Sequence, residues 1–91
     1  MSKTEREGQI NTISWHPTGK QNLMCIATVA GSIKIIDSKK GKILSRLDLT
    51  SYTIFETDWN SNGIVACSEN CNIYFIIFDF EEQTLKLNHI V

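Results

Sequence analysis

Gly31-Ser32-Ile33-Lys34-Ile35-Ile36-Asp37 decides how this chain is read. The glycine suits a turn, the β-branched run from Ile33 to Ile36 suits a strand, and the aspartate ends it. The run reappears downstream as Ile73-Tyr74-Phe75-Ile76-Ile77. A short apolar run through Phe80 is also compatible with helix by periodicity alone. Its aromatic and β-branched content, with no capping residue ahead of it, favours strand.

Working outward, every other segment reads as strand or turn. Ile10, Ile13 and Trp15 open an apolar pattern that runs into His16-Pro17-Thr18-Gly19, where proline presets φ and glycine permits the reversal. Residues 23–29 form a buried strand, and Ala30-Gly31 a tight connection. After Asp37 comes the polar turn Ser38-Lys39-Lys40-Gly41, then a strand over 42–49 that alternates around Ile43, Leu47 and Leu49. The order then starts again. Residues 52–59 are a strand, Asn60-Ser61-Asn62-Gly63 a hairpin turn, 64–68 a short strand, 71–80 a long one, Glu81-Glu82-Gln83 a turn, and 84–91 the last strand.

Superposing the halves makes the repeat explicit. Trp15 answers Trp59 and Gly19 answers Gly63; beyond the extra residues Lys20 to Asn22, Ile33 answers Ile73 and Ile36 answers Ile76. Four strands in a period of roughly 40 residues is the size of one β-propeller blade. The expected fold is all-β: two four-stranded antiparallel blades over 9–50 and 51–91, behind a flexible N-terminal segment, 1–8.

Trp15-His16-Pro17-Thr18-Gly19, followed by Ala27-Thr28 and Gly31 through Asp37, resembles a WD-repeat (WD40) blade, with Ile36-Asp37 at the place of the Trp-Asp pair. The second unit resembles it through Asp58-Trp59-Asn60 and Cys67 through Ile73. Asp58-Trp59, Ala66-Cys67-Ser68 and Cys71-Asn72-Ile73 are similar to a blade of the transducin β-like subunits of nuclear corepressor complexes. The resemblance implies a protein-interaction scaffold, and in that subgroup one engaged in transcription regulation in the nucleus. The Gly-His that usually precedes a blade is replaced by Gly8-Gln9 and Thr50-Ser51, and the usual turn Asp by Ala30-Gly31 and Asn70. In the family these groups form a buried hydrogen-bond network, so its loss implies blades held by apolar packing.

Bulk properties bound the rest. The chain has 91 residues, 42% of them hydrophobic, and a net charge of −1, which fits one small ordered domain. It offers no basic stripe for nucleic acid; Lys39-Lys40-Gly41-Lys42 fits a solvated turn. No apolar leader and no membrane-length run occurs, and the three cysteines suit buried thiols better than a disulfide frame. The chain therefore reads as intracellular, in nucleus or cytoplasm. Two blades cannot close a ring, so the remaining blades of a longer propeller, self-association or other partner proteins are expected to cover the open faces.

Catalytic chemistry finds little support in the residues. Cys67 and Cys71 would be half of a metal site, but the other half, sought among Cys25, His16 and His89, matches no zinc spacing, so they read as structural cysteines. A small Cys/His metal-binding or hydrolytic protein is the alternative reading, and a propeller fragment without independent function is another. Asp79 with Glu81-Glu82 reads as an exposed turn rather than an acid–base pair. No catalytic residue, metal or cofactor is assigned. Trp15 and Trp59, at matching positions, read as core. Partner contact is assigned to the exposed turns, through His16, Lys20 and Asn62.

Overall fold

The computed structural model describes residues 9–18 and 22–91; the segment 1–8 and Lys20 lie outside them. Among the described residues eight strands follow one another: β1 (Ile10–Trp15), β2 (Leu23–Thr28), β3 (Ser32–Asp37), β4 (Lys42–Asp48), β5 (Ile54–Asn60), β6 (Gly63–Ser68), β7 (Ile73–Asp79) and β8 (Thr84–Ile90). They form two four-stranded sheets, ordered β1-β2-β3-β4 and β5-β6-β7-β8, and every neighbouring pair is antiparallel. Each sheet is thus a meander of the kind expected of a propeller blade.

The registers repeat as the sequences do. Trp15 stands opposite Met24, Met24 opposite Ile36 and Ile36 opposite Ile43. In the second sheet the same row is Trp59, Ile64, Ile76 and Leu87. Bulges recur at matching places, between Ile10 and Thr12 and between Ile54 and Glu56, and again at Ile35/Ile36 and Phe75/Ile76. An extra residue at a bulge increases local twist, which a blade needs to run from inner to outer strand.

The sheets pack face to face, β1 and β2 against β5 and β4 against β8. The core between them holds Leu23, Cys25, Ala27, Ile33 and Ile35 from the first sheet and Ile54, Trp59, Ile64, Ala66, Tyr74, Ile76, Phe78 and Leu85 from the second. Period-2 alternation explains the selection: within β6, Ile64, Ala66 and Ser68 are buried while the residues between them are not.

Several strands are shorter than the sequence implied, since Val29, Leu49, Tyr52, Thr53, Cys71, Asn72, Phe80 and Val91 fall outside them. Tyr52 and Thr53 belong to the crossing between sheets: Thr53 donates its hydroxyl to the Val29 carbonyl at 3.0 Å and its N–H to Glu69 Oε1 at 3.2 Å. Cys71 has φ of 69°, which no strand residue adopts. The expectation of blades held by apolar packing also needs correction. Thr28 and Ser32 exchange hydroxyl contacts at 2.9 Å, and Ser32 N–H donates to Thr28 Oγ1 at 3.2 Å. At the matching turn Ser68 bonds Asn70 Oδ1, and Asn72 Nδ2 lies 3.4 Å from the Tyr74 hydroxyl. Different residues thus supply the hydrogen bonds at this turn in the two blades.

Gly31 and Cys71 occupy the same left-handed turn position, each donating its N–H to the residue three before it (Thr28 and Ser68). A Cβ on Gly31 would come within 1.9 Å of the Thr50 carbonyl oxygen, because the crossing chain lies directly over it. The exposed Cys71 carries its Cβ at φ of 69°. Two substitutions should therefore act in opposite directions. Gly31→Ala is expected to lose at least about 2 kcal/mol in urea unfolding, from left-handed strain and displacement of the crossing. Cys71→Gly is expected to be neutral or to gain up to about 1 kcal/mol in the same assay.

Candidate protein-interaction site

The β1–β2 and β5–β6 turns emerge side by side at one end of the sheet pair. His16 is half-buried there, and its N–H donates to the Leu23 carbonyl at 3.0 Å, closing the β1–β2 turn. Thr18 N–H donates to His16 Nδ1 at 3.2 Å, and Thr18 Oγ1 lies 3.1 Å from the same nitrogen. A ring nitrogen that accepts from a backbone N–H places the proton of neutral imidazole on Nε2. Asn60 Oδ1 accepts the N–H of Asn62 at 2.9 Å, an Asx turn that fixes the exposed Asn62 at the rim.

Between the turns lies an aromatic cluster. The His16 ring meets Trp59 edge-on at 4.9 Å and Phe80 at 5.4 Å. Trp59 stacks on Phe80 at 6.5 Å with an interplanar angle of 21°, and Phe78 meets Phe80 edge-on at 5.0 Å. A cleft of about 380 Å³ opens on this cluster, lined by His16, Asn62, Ile77 and the three rings. Trp59 is only 7% exposed and Phe80 40%, so Trp59 anchors the floor while Phe80 presents apolar surface. Rigid aromatic area edged by amide groups is well suited to a peptide or protein surface.

The structure thus brings His16 and Asn62 to one cleft; Lys20, the third residue singled out in the sequence, lies outside the described residues. Phe78 and Phe80 went unnoticed in the sequence. Their i, i+2 spacing was the available signal, since it sets two rings on one face of the strand end. Trp15 departs from expectation. It is 55% exposed because, among the described residues, no sheet lies against its face of the first sheet, whereas Trp59 points between the two.

The other candidates resolve into structural roles. Asp79 Oδ1 accepts the N–H groups of Glu81 and Glu82 at 3.0 and 3.1 Å, as Asp37 Oδ1 accepts those of Lys39 and Lys40, both at 3.1 Å. Both aspartates hold the outer turn of their blade, so the Lys39–Lys40 and Glu81–Glu82 pairs are solvent-facing turn residues. Among the described residues no group of three or more His, Cys, Asp or Glu side chains is placed to hold a metal ion. Among them also, no helix is long and apolar enough to cross a membrane. Cys25 is fully buried, and desolvation pushes its thiol from 9.0 up to about 12, which withholds the thiolate that nucleophilic chemistry needs.

Comparison with known proteins follows the architecture. The family model described as the anaphase-promoting complex subunit 4 WD40 domain matches residues 1–62. A search of the curated proteins finds no match. Among solved structures, the β-propeller domain of Cps50 (Swd1) from Myceliophteria thermophila superposes with a TM-score of 0.82 at 18% identity, over 98% of this chain and 30% of its own. Sqt1 of Saccharomyces cerevisiae gives 0.72 at 19%, over 92% of this chain and 20% of its own. BamB from Moraxella catarrhalis gives 0.73 at 12%, over 90% and 23%. At these identities the likeness is one of fold, and the chain spans less than a third of each structure.

The thiols provide a check on this placement. Iodoacetamide should label the exposed Cys71 readily and leave Cys25 unmodified until the chain unfolds. Because the Cys25 thiol is raised in the folded state, its contribution to stability is complete below about pH 9 and is lost as pH rises toward 12. Chemical denaturation of Cys25→Ala should lose that alkaline component.

Proposed function

The chain belongs to the family of the anaphase-promoting complex subunit 4 WD40 domain, and from that membership we propose that it is a non-catalytic scaffold that binds other proteins. Its units are the blades 9–50 and 51–91. WD40 propellers generally serve as interaction scaffolds, with recognition on loops that a rigid sheet holds in place. The observation that carries the reading here is the cleft between the two turns, where His16 and Asn62 flank the half-exposed Phe80. Lys20, in the same turn as His16 by sequence, extends the contact surface. The setting is a large intracellular assembly, in nucleus or cytoplasm, of the kind the family's name describes. Partners are other subunits of that assembly, with neither nucleic acid nor lipid contacted directly.

A corepressor or chromatin assembly is the second reading. It is supported by the wording of residues 58–73, most of which follows the last residue of the family match, Asn62.

Reconstitution with purified subunits distinguishes the two. Asn62→Ala alone and combined with His16→Ala and Lys20→Ala should weaken capture of anaphase-promoting complex subunits, the triple variant about tenfold or more, with the circular dichroism spectrum unchanged. Undiminished capture by the folded triple variant would overturn the assignment of the cleft. Capture of corepressor subunits instead would favour the second reading.

A further inference from the structure

The hairpin tip Asn60-Ser61-Asn62-Gly63 holds two asparagines in opposite circumstances. Asn60 is tied at both ends of its amide: Oδ1 accepts the Asn62 N–H at 2.9 Å, and Nδ2 donates to Asp58 Oδ2 at 3.1 Å. Asn62 is exposed, and its side-chain amide bonds no other group among the described residues. Asn62 also precedes a glycine, and the fold requires that glycine. Gly63 has φ of 128°, and a Cβ there would lie 2.8 Å from the Ile76 carbonyl oxygen.

Elsewhere the amides are tied or their followers are bulky. Asn11 Nδ2 donates to the Ile54 carbonyl at 2.8 Å, Asn70 Oδ1 accepts from the Ser68 hydroxyl, and Asn72 Nδ2 lies 3.4 Å from the Tyr74 hydroxyl. Asn22 and Asn88 precede Leu23 and His89, whose side chains crowd the next backbone nitrogen. The exposure of Asn62 does not depend on how the chain continues. Its repeat in the first blade, Thr18, stays exposed although a whole sheet packs against that blade.

We propose that Asn62 is a site of intramolecular deamidation, with the Gly63 backbone nitrogen as the nucleophile. That nitrogen gives its proton to hydroxide and attacks Asn62 Cγ. A C–N bond forms, the bond from Cγ to Nδ2 breaks, and ammonia leaves after taking a proton from water. Water then opens the cyclic imide at either carbonyl. Opening at the new bond yields aspartate; opening at the original backbone carbonyl yields isoaspartate, with the chain running through the side-chain carbon. Gly63 stands opposite Asn60 in the strand register, so reaction proceeds from openings of the hairpin tip, where opening costs least. Isoaspartate lengthens the main chain by a methylene that the tight turn does not fit. Either product also sets a carboxylate on the rim of the cleft. The effect on partner capture rests on the reading of that cleft; the reaction itself does not.

The test is incubation of the purified chain at neutral and mildly alkaline pH, followed by peptide mass spectrometry and labelling of isoaspartate with isoaspartyl methyltransferase. Asn62 is expected to convert first, several-fold faster than Asn60 or any other asparagine, with isoaspartate as the main product and a rate that rises with hydroxide. Asn62→Gln, whose longer side chain needs a larger ring, should stay unmodified at that position with an unchanged circular dichroism spectrum. An Asn62 that survives in the folded chain while the urea-unfolded chain converts would overturn the proposal. So would equal conversion at Asn60, or aspartate formed without isoaspartate.

Discussion

The placement of the second sheet depends on how the chain crosses from the outer edge of one blade to the inner edge of the next. Leaving β4, the backbone must travel back over the β2–β3 turn before β5 can begin. Gly31 makes this passage feasible: its carbonyl accepts the N–H groups of Leu49 and Thr50 at 3.0 and 3.1 Å, and its missing side chain leaves room for the Thr50 carbonyl. Thr53 then ties the crossing to Val29 on one side and, through backbone and side chain, to Glu69 on the other. These polar contacts fix where β5 starts, and hence which apolar residues meet across the interface.

Once the crossing is set, the interface is mostly hydrophobic with a few positional polar contacts. Asn11 Nδ2 donates to the Ile54 carbonyl at 2.8 Å, Thr12 and Thr57 hydroxyls lie 3.3 Å apart, and Leu85 N–H donates to Ser45 Oγ at 3.1 Å. Each is worth little net, but together they pin inner strand to inner strand and outer to outer. The apolar rows supply the energy and the hydrogen bonds supply the register. The same division explains why Trp59 is buried and Trp15 is not: identical positions within a blade acquire different surroundings from the neighbour they face.

Much of this was legible in the residues. The two turn glycines, the paired tryptophans and the returning isoleucine run located all eight strands, because strand patterning and turn chemistry act locally. The exposed turns carrying His16 and Asn62 were likewise visible, but their meeting in one cleft was not, since it depends on how one sheet is laid on the other. The role of Asp79 was missed for a related reason. Ile36 and Ile76 do share a row, but β7 runs two residues further before its turn, so the turn aspartate that answers Asp37 is Asp79. The hydrogen-bonded turns at Thr28–Ser32 and Ser68–Tyr74 were hidden because their chemistry differs from the pattern the resemblance led one to seek.

Among the described residues every strand pairs with its neighbour in sequence, and no pairing joins the first sheet to the second. This has a consequence for the way the molecule comes into being. Each hairpin closes a short loop, so the entropy lost in forming a blade is recovered step by step rather than all at once. On a ribosome the first sheet can assemble while β5 is still within the exit tunnel. During that interval its inward face, lined by Cys25, Ala27, Ile33 and Ile35, is exposed and wet. The order of synthesis thus becomes the order of construction, and the vulnerable moment is the wait for Ile54 and Trp59 to arrive.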